Sequence, residues 1–417
     1  GFVGGFKAGR LVMAVDGREH CLIAPIADRL FSFHESCQLM SEIVVGMSFQ
    51  NRGSSVFLFN FCADLQGQRD KRKPFLRNEV KTSDMKVMDA YLDDFAEKHQ
   101  HKYRYFVLDL SRQDSSIGSF LYEGFFDWAR NAYYCEGKKE KKNFGRYFDW
   151  IKNYLIHTRV ALPDGQIWIK HKGNVSGSPL TTLVNSYTAL MAARTVFGFL
   201  VGAGRQKDIV VRVYGDNILV GVPRAGTMHW GLPEVEDVWD LFFSQKLNPD
   251  ESYEADHIFH EYGKDPKQSL SFLAKHFLRG GGIWRPVEET VAAMIAPDSE
   301  DKSGPARYAR ACGLMADNPF NIEATYYLSK VLDQLEDEGV LCGRLPSREH
   351  QKFRYKLMGS DGEVWASRMS ILFCQMLYEV TPTYRTQTRM THRGMDEVLD
   401  DWAERRYQDF LRNDSLT

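Results

Sequence analysis

Val210-Val-Arg-Val-Tyr-Gly215-Asp216-Asn217-Ile-Leu-Val-Gly-Val222 is two runs of mostly β-branched and apolar residues split by three small ones. The pattern predicts two antiparallel strands joined by a tight turn, and alone it makes Gly-Asp-Asn an ordinary hairpin tip. Upstream, residues 103–110 (Tyr-Arg-Tyr-Phe-Val-Leu-Asp-Leu) read as a buried strand that ends on a charge, Asp109. A carboxylate after so apolar a run is expensive to bury unless it is paired or binds a metal. Helix N-capping at a strand-to-helix junction is the alternative account. Taken together, a strand-end Asp and a hairpin-tip Asp on an adjacent strand can converge on one point. Two hard carboxylates there would hold Mg²⁺, and a pair of such ions about 3.5–4 Å apart suits in-line phosphoryl displacement.

The segment between them is Ser176-Gly177-Ser178-Pro179-Leu180-Thr181-Thr182-Leu183-Val184-Asn185. Ser178 is placed as an N-cap and Pro179 as the first helical residue. Leu180, Leu183, Val184, Tyr187, Leu190 and Met191 share one face and read as core. Thr181 and Asn185, four apart, share another face that a ligand could meet, and Gly177 lets the preceding loop bend. A capped helix with a polar outer face would explain the same residues. Asn185 and Ser176, with Asp114 five residues past Asp109, could hydrogen-bond a ribose 2′-OH, the group that separates RNA from DNA.

Around this centre the chain alternates in type. Helices are expected at 120–134 and 180–200, and hairpins at 158–170 (turning at Asp164-Gly165) and at 271–284 around three glycines. Amphipathic helices are expected at 322–338 and 395–411. The order is α+β, with strands in the middle and helices toward the end. The 417 residues carry 53 Lys and Arg against 55 Asp and Glu, a net charge of -2, with 43% hydrophobic residues. This composition excludes disordered, collagen-like and coiled-coil classes, and no window suits a membrane span. Seven scattered cysteines show no metal-ligand spacing and fit reduced thiols in a cytosolic setting. Two basic runs, 69–81 and 138–142, are solvated faces unless other features point to a polynucleotide. The chain opens on Gly1 and reads as a fragment or processed piece.

Asp109-x4-Asp114, then Ser176-Gly177-x3-Thr181-x3-Asn185, then Gly215-Asp216-Asn217, in that order, resembles motifs A, B and C of viral RNA-dependent RNA polymerases. Finer features resemble the partitivirus and picobirnavirus group. Lys7-Ala-Gly-Arg10 with the run to Asp16 is similar to motif F. Leu162-Pro-Asp-Gly165 ahead of Gly173-Asn-Val-Ser-Gly177 is similar to the approach to motif B. Lys246-Leu-Asn-Pro-Asp-Glu-Ser252 is similar to motif D. Phe272-Leu-Ala-Lys-His-Phe-Leu-Arg-Gly280 and Trp284-Arg-Pro286 are similar to motif E and the entry to the thumb. The chain departs from the family at Asn217, where a second Asp is usual, and at Glu251, where motif D often has Lys. The general acid for pyrophosphate is then unassigned among Lys246, Lys264 and Lys267.

The resemblance implies a right-hand palm fold with its N-terminal fingers truncated. Residues 1–100 would be partial fingers, 101–135 palm with motif A, and 136–165 a fingers insertion. Residues 166–270 would be palm with motifs B, C and D, 271–290 the motif E hairpin, and 291–417 the thumb. It implies template-directed addition of NTPs to an RNA 3′-OH with release of pyrophosphate, in replication of a viral, double-stranded RNA genome. Asp109 and Asp216 would be catalytic and would hold two Mg²⁺ (Mn²⁺ able to substitute), with Asn217 a weaker ligand. Lys7, Arg10, Asp114, Ser176, Gly177, Thr181 and Asn185 would bind the nucleotide. Phe272, Arg279 and Gly280 would touch primer or RNA, with 280–282 as the hairpin tip. Partners would be RNA template and product, NTPs and a viral capsid protein, with no membrane. The chain would act as a monomer in the host cytoplasm or inside the virion. The competing readings are a reverse transcriptase, which calls for an aromatic sugar gate near Asp114, and a catalytically weak palm-derived module that binds RNA.

Overall fold

The computed structural model describes residues 17–36, 41–45, 47–50, 52–68, 82–133, 135–162, 164–175, 177–296, 304–340, 368 and 370–379. Its organising element is β1 (Tyr103–Ser111), apolar from Tyr105 to Leu108 because both of its faces are covered. Phe106, Leu108 and Leu110 point into one core, and Tyr105 and Val107 into a second on the opposite side, as the two-residue period of a strand requires. Each of these side chains contributes about 1.5–3 kcal/mol by leaving water, so the register of β1 is strongly held.

The first core is filled by α1 (Gly17–Ser36), α4 (Ser119–Asn131), α5 (Gly137–Ile156), α6 (Thr181–Val201) and α7 (Leu232–Phe243). The second is filled by α2 (Gly53–Leu65), α3 (Thr82–Lys98) and a three-stranded sheet of β8 (Ser271–Phe272), β9 (Lys275–Phe277) and β10 (Ile283–Trp284). Between the two layers lies an antiparallel sheet in the order β4-β5-β1-β6, with β7 also on β1. Here β4 is Val210–Tyr214, β5 is Asn217–Pro223, β6 is Lys246–Leu247 and β7 is Tyr253–Ala255. β1 thus pairs with β5 along one edge, and with β6 and β7 along the other. A separate hairpin, β2 (Arg159–Ala161) with β3 (Ile167–Ile169), follows α5.

After β10, α8 (Val287–Ile295), α9 (Gly304–Asp317), α10 (Ile322–Asp337) and α11 (Ile371–Glu379) follow. Met294, Tyr308, Cys312, Leu328, Leu332 and Cys374 join these helices into a third core. The mixed content and antiparallel sheet are the α+β class the sequence predicts. Two local expectations change. The run 271–278 is two strands rather than one, because Leu273 and Ala274 turn the chain through left-handed conformations. The long helix begins at Thr181, not Pro179: Ser178 accepts a hydrogen bond from the Leu180 N–H (3.2 Å) inside a preceding turn. The expected helix at 395–411 lies outside the described residues.

Candidate active site

The β4–β5 hairpin turns on two residues, Gly215 and Asp216, because Tyr214 already stands opposite Asn217. Gly215 takes φ +62°, a left-handed value that glycine adopts without strain. On the other edge of β5, Asn217 stands directly opposite Asp109, and such partners have Cα atoms about 4.5–5.5 Å apart. Backbone register therefore gathers Asp109, Asp216 and Asn217 at one end of the sheet. Asn217 Nδ2 donates to Asp216 Oδ1 at 3.1 Å.

Three further residues, not singled out from sequence, hold this corner. The Asn248 N–H donates to the Asp109 carbonyl (2.8 Å), and Asn248 Nδ2 reaches Asp109 Oδ2 (3.3 Å). The Asp109 N–H donates to Ser252 Oγ (3.1 Å), and that hydroxyl lies 3.3 Å from the Asp109 carbonyl. Buried Ser186 of α6 accepts from the Gly215 N–H (2.8 Å) and donates to the Thr182 carbonyl (2.7 Å), tying the hairpin tip to the helix. A serine at a core position of an apolar helix was a signal available in the sequence. Asn248 and Ser252 carried none beyond their place in a motif-like run.

What converges here is oxygen: two carboxylates and an amide. Among the described residues no three His, Cys, Asp or Glu side chains form a metal-ligating group. A hard divalent cation such as Mg²⁺ fits that donor set, with two formal charges from the protein where a third Asp would supply another.

The second part of the site is built of side chains. Asp114 sits on a helical turn (Gln113–Ser116) just past β1. Asn185 Nδ2 donates to Asp114 Oδ1 at 2.7 Å, and Gln113 Nε2 donates to the Asn185 carbonyl at 2.9 Å. The loop before α6 packs on the same turn: the Gly173 N–H donates to the Ile117 carbonyl, and the Asn174 N–H to the Asp114 carbonyl. Glycine is required at 173. Gly173 has φ +84°, and a Cβ there would lie 2.7 Å from the Asp114 carbonyl oxygen. Lys170 braces the loop by donating to the Gly173 carbonyl (2.7 Å), and burial pushes its pKa down to about 8.

Of the expected nucleotide contacts, Asp114 and Asn185 are brought together, and Gly177 lies in the adjoining loop. Thr181 is committed to its own loop, its hydroxyl shared between the Val175 and Ser178 carbonyls (2.7 and 2.8 Å). Lys7, Arg10, Ser176 and the basic run 69–81 lie outside the described residues. Of the three lysines near motif D, Lys246 is the one beside the corner, opposite Ser111 in the β1–β6 pair.

One of the expected primer contacts, Phe272, needs correction, while Arg279 and Gly280 are exposed. Phe272 is buried and stacks on Phe57 (4.9 Å between centroids), so it is core and not an RNA contact. The 280–282 tip does not stand free. Arg52 donates to the Gly280 carbonyl (2.7 Å), Ser54 donates to the Gly281 carbonyl, and Arg279 pairs with Asp93 on α3 (2.7 Å).

The profile of the viral RNA-dependent RNA polymerase family matches residues 79–296, just over half of the chain and inclusive of both Asp109 and Asp216. The chain belongs to this family. It is similar to the non-structural polyprotein 1AB of human astrovirus-5, at 24% identity over 278 residues, 62% of this chain and 18% of the polyprotein. It is also similar to the genome polyprotein of pea seed-borne mosaic virus, at 30% identity over 135 residues, 31% of this chain and 4% of that polyprotein. The chain thus spans less than a fifth of the curated relatives it matches. Among solved structures, a sicinivirus 3Dpol RNA-dependent RNA polymerase aligns at 16% identity and TM-score 0.41, covering 65% of this chain and 54% of that one.

Proposed function

We propose that this viral polymerase family member adds NTPs to the 3′-OH of RNA under the direction of an RNA template. The observation that carries the reading is the convergence of Asp109 with Asp216 and Asn217 at one sheet end, beside the paired Asp114 and Asn185. Asp109 and Asp216 would hold two divalent cations, Mg²⁺ or Mn²⁺, with Asn217 a neutral third donor. Bound there, such ions supply neutralisation of charge on the transferring phosphoryl and on pyrophosphate. The protein's own work is positioning. Asn248 and Ser252 fix Asp109, Ser186 fixes the turn that carries Asp216, and Asn185 and Asp114 face the sugar. Lys246 is our choice as proton donor to pyrophosphate, from its place opposite Ser111.

The narrower points rest on motif likeness: Lys7, Arg10 and Ser176 on the nucleotide, the fingers, palm and thumb boundaries, and kinship with the partitivirus and picobirnavirus group. The same holds for a double-stranded RNA genome, a capsid partner, and action as a monomer in the host cytoplasm or virion.

Primer extension on an RNA template, with labelled NTPs or dNTPs in Mg²⁺ or Mn²⁺, tests the reading. Incorporation of NTPs over dNTPs, abolished by Asp109→Ala and by Asp216→Ala, supports it. Preferential use of dNTPs would make the chain a reverse transcriptase. RNA binding with no incorporation in either metal would favour the binding-module reading.

A further inference from the structure

We infer that Asn174 and Tyr122 are positioning residues that set which way round the Asn185 amide points, and through it the preference for ribose over deoxyribose. The inference rests on the polymerase reading above. It begins with the main chain, whose hydrogen-bonding sense is unambiguous. The Val175 N–H can only donate, so the Asn174 atom 2.9 Å away is the acceptor Oδ1. The Thr181 carbonyl can only accept, so the atom 3.1 Å from it is Nδ2. The orientation of the Asn174 amide is therefore dictated by backbone on both sides. Tyr122 reinforces it, its single phenol proton lying nearest the same Oδ1 (2.6 Å) with the Gly173 carbonyl a longer second acceptor (3.1 Å). Tyr122 is 0% and Asn174 1% exposed, so water cannot substitute for either partner. Burial, with Asp114 nearby, also holds the phenol well above its ordinary pKa, and it keeps its proton.

This orientation passes on. Asn174 Nδ2 lies 2.7 Å from Asn185, so the atom it meets is Oδ1, and the other end of that amide, Nδ2, is turned to Asp114 Oδ1 at 2.7 Å. The result is an N–H donor beside a carboxylate acceptor. A hydroxyl both donates and accepts, and this pair offers it one of each. Were the Asn185 amide reversed, two acceptors would face each other and no donor would remain for the hydroxyl oxygen. A site built to hydrogen-bond a hydroxyl rejects the analogue that lacks it, because its polar groups are then left unpaired.

Asn174→Asp tests the chain of orientation at nearly constant shape. The new carboxylate still accepts from Val175 and Tyr122, but it takes the donor from the Thr181 carbonyl and presents oxygen to Asn185, whose amide must turn round to donate to it. The ratio of incorporation efficiencies, NTP over dNTP, should fall about tenfold, the factor that 1.4 kcal/mol gives, while dNTP use is largely kept. Tyr122→Phe leaves the Val175 donor in place and should lower the ratio only about two- to threefold. In an Asn185→Ala background neither substitution should lower it further, because both act through that amide.

A purely structural role would reduce both substrates equally and lower the melting temperature. An Asn174→Asp enzyme that keeps the parent ratio, or that loses it equally in the Asn185→Ala background, overturns the inference. If Asn174→Asp does not fold, Tyr122→Phe decides by the same two criteria. A parent chain that incorporates neither sugar brings down the polymerase reading and the inference with it.

Discussion

Two glycine-bearing hairpin tips, 215–216 and 279–282, look alike in sequence and are held in different ways. The first is backed by a sheet in register, with Asp109 opposite Asn217 and one serine behind the turn. It carries a carboxylate at its point. The second is tied down through its carbonyls while Arg279 and Gly280 stay exposed: Arg52, itself buried and paired with Asp89, reaches the Gly280 carbonyl, and Ser54 reaches Gly281. The first tip carries a carboxylate and leans on one hydroxyl, whereas the second is anchored through two backbone carbonyls and so bears more of the fold's stability. Substitutions should therefore separate activity from stability in opposite senses at the two places.

The largest effect is expected at the first tip. Asp216→Ala or Asp109→Ala should lower incorporation at least about a thousandfold, roughly 4 kcal/mol in the barrier, while the melting temperature moves little. Calorimetry beside primer extension checks both halves, and a large loss of stability would break the distinction between the tips.

At the second tip, Arg52→Ala should cost about 3 kcal/mol of folding stability, because it leaves Asp89 and the Gly280 carbonyl without the buried guanidinium they share. Activity per folded molecule should change little, as denaturant titration combined with active-site counting would show.

His276 on β9 gives the second region an acid sensitivity. Burial and the neighbouring His260 push its pKa down to about 4, below 6.5 for the free side chain. The unfolded chain then binds a proton that the folded chain refuses. Its contribution is present above pH 6.5 and is lost as pH falls toward 4, by about 3 kcal/mol in all. His276→Gln should flatten this part of a stability-against-pH curve, and an unchanged acid slope would contradict it.

Ser186→Ala removes the support behind the first tip. A loss of about 1 kcal/mol is expected, with a higher metal concentration needed for half-maximal incorporation. The smallest effect should come from Gly280→Ala. Its φ of +78° costs a side chain about 1 kcal/mol, but open space surrounds it. Gly281→Ala should cost more, since its Cβ would lie 2.6 Å from Ser55 Oγ. Equal costs at 280 and 281 would show that Arg52 and α2 do not hold the tip.

What could be read from the chain alone was what is local. A two-residue turn between β-branched runs, an apolar strand ending on Asp109, and the motif order around Asn185 were enough to bring Asp109, Asp216 and Asn217 to the corner we propose as the active site. Each depends on residues a few positions apart and on the two-residue period of a strand. Tertiary structure alone decided which polar residues serve that corner and which glycines are spent on packing. Asn174 meets Tyr122 across 52 positions, Asn248 meets Asp109 across 139, and Arg52 meets Gly280 across 228. No local pattern marks such partners. Burial leaves a polar atom unpaired unless one is supplied, and only the folded chain shows where each was found. Phe272 was misplaced for the same reason. Its neighbour in space is Phe57, and the sequence keeps the two more than two hundred residues apart.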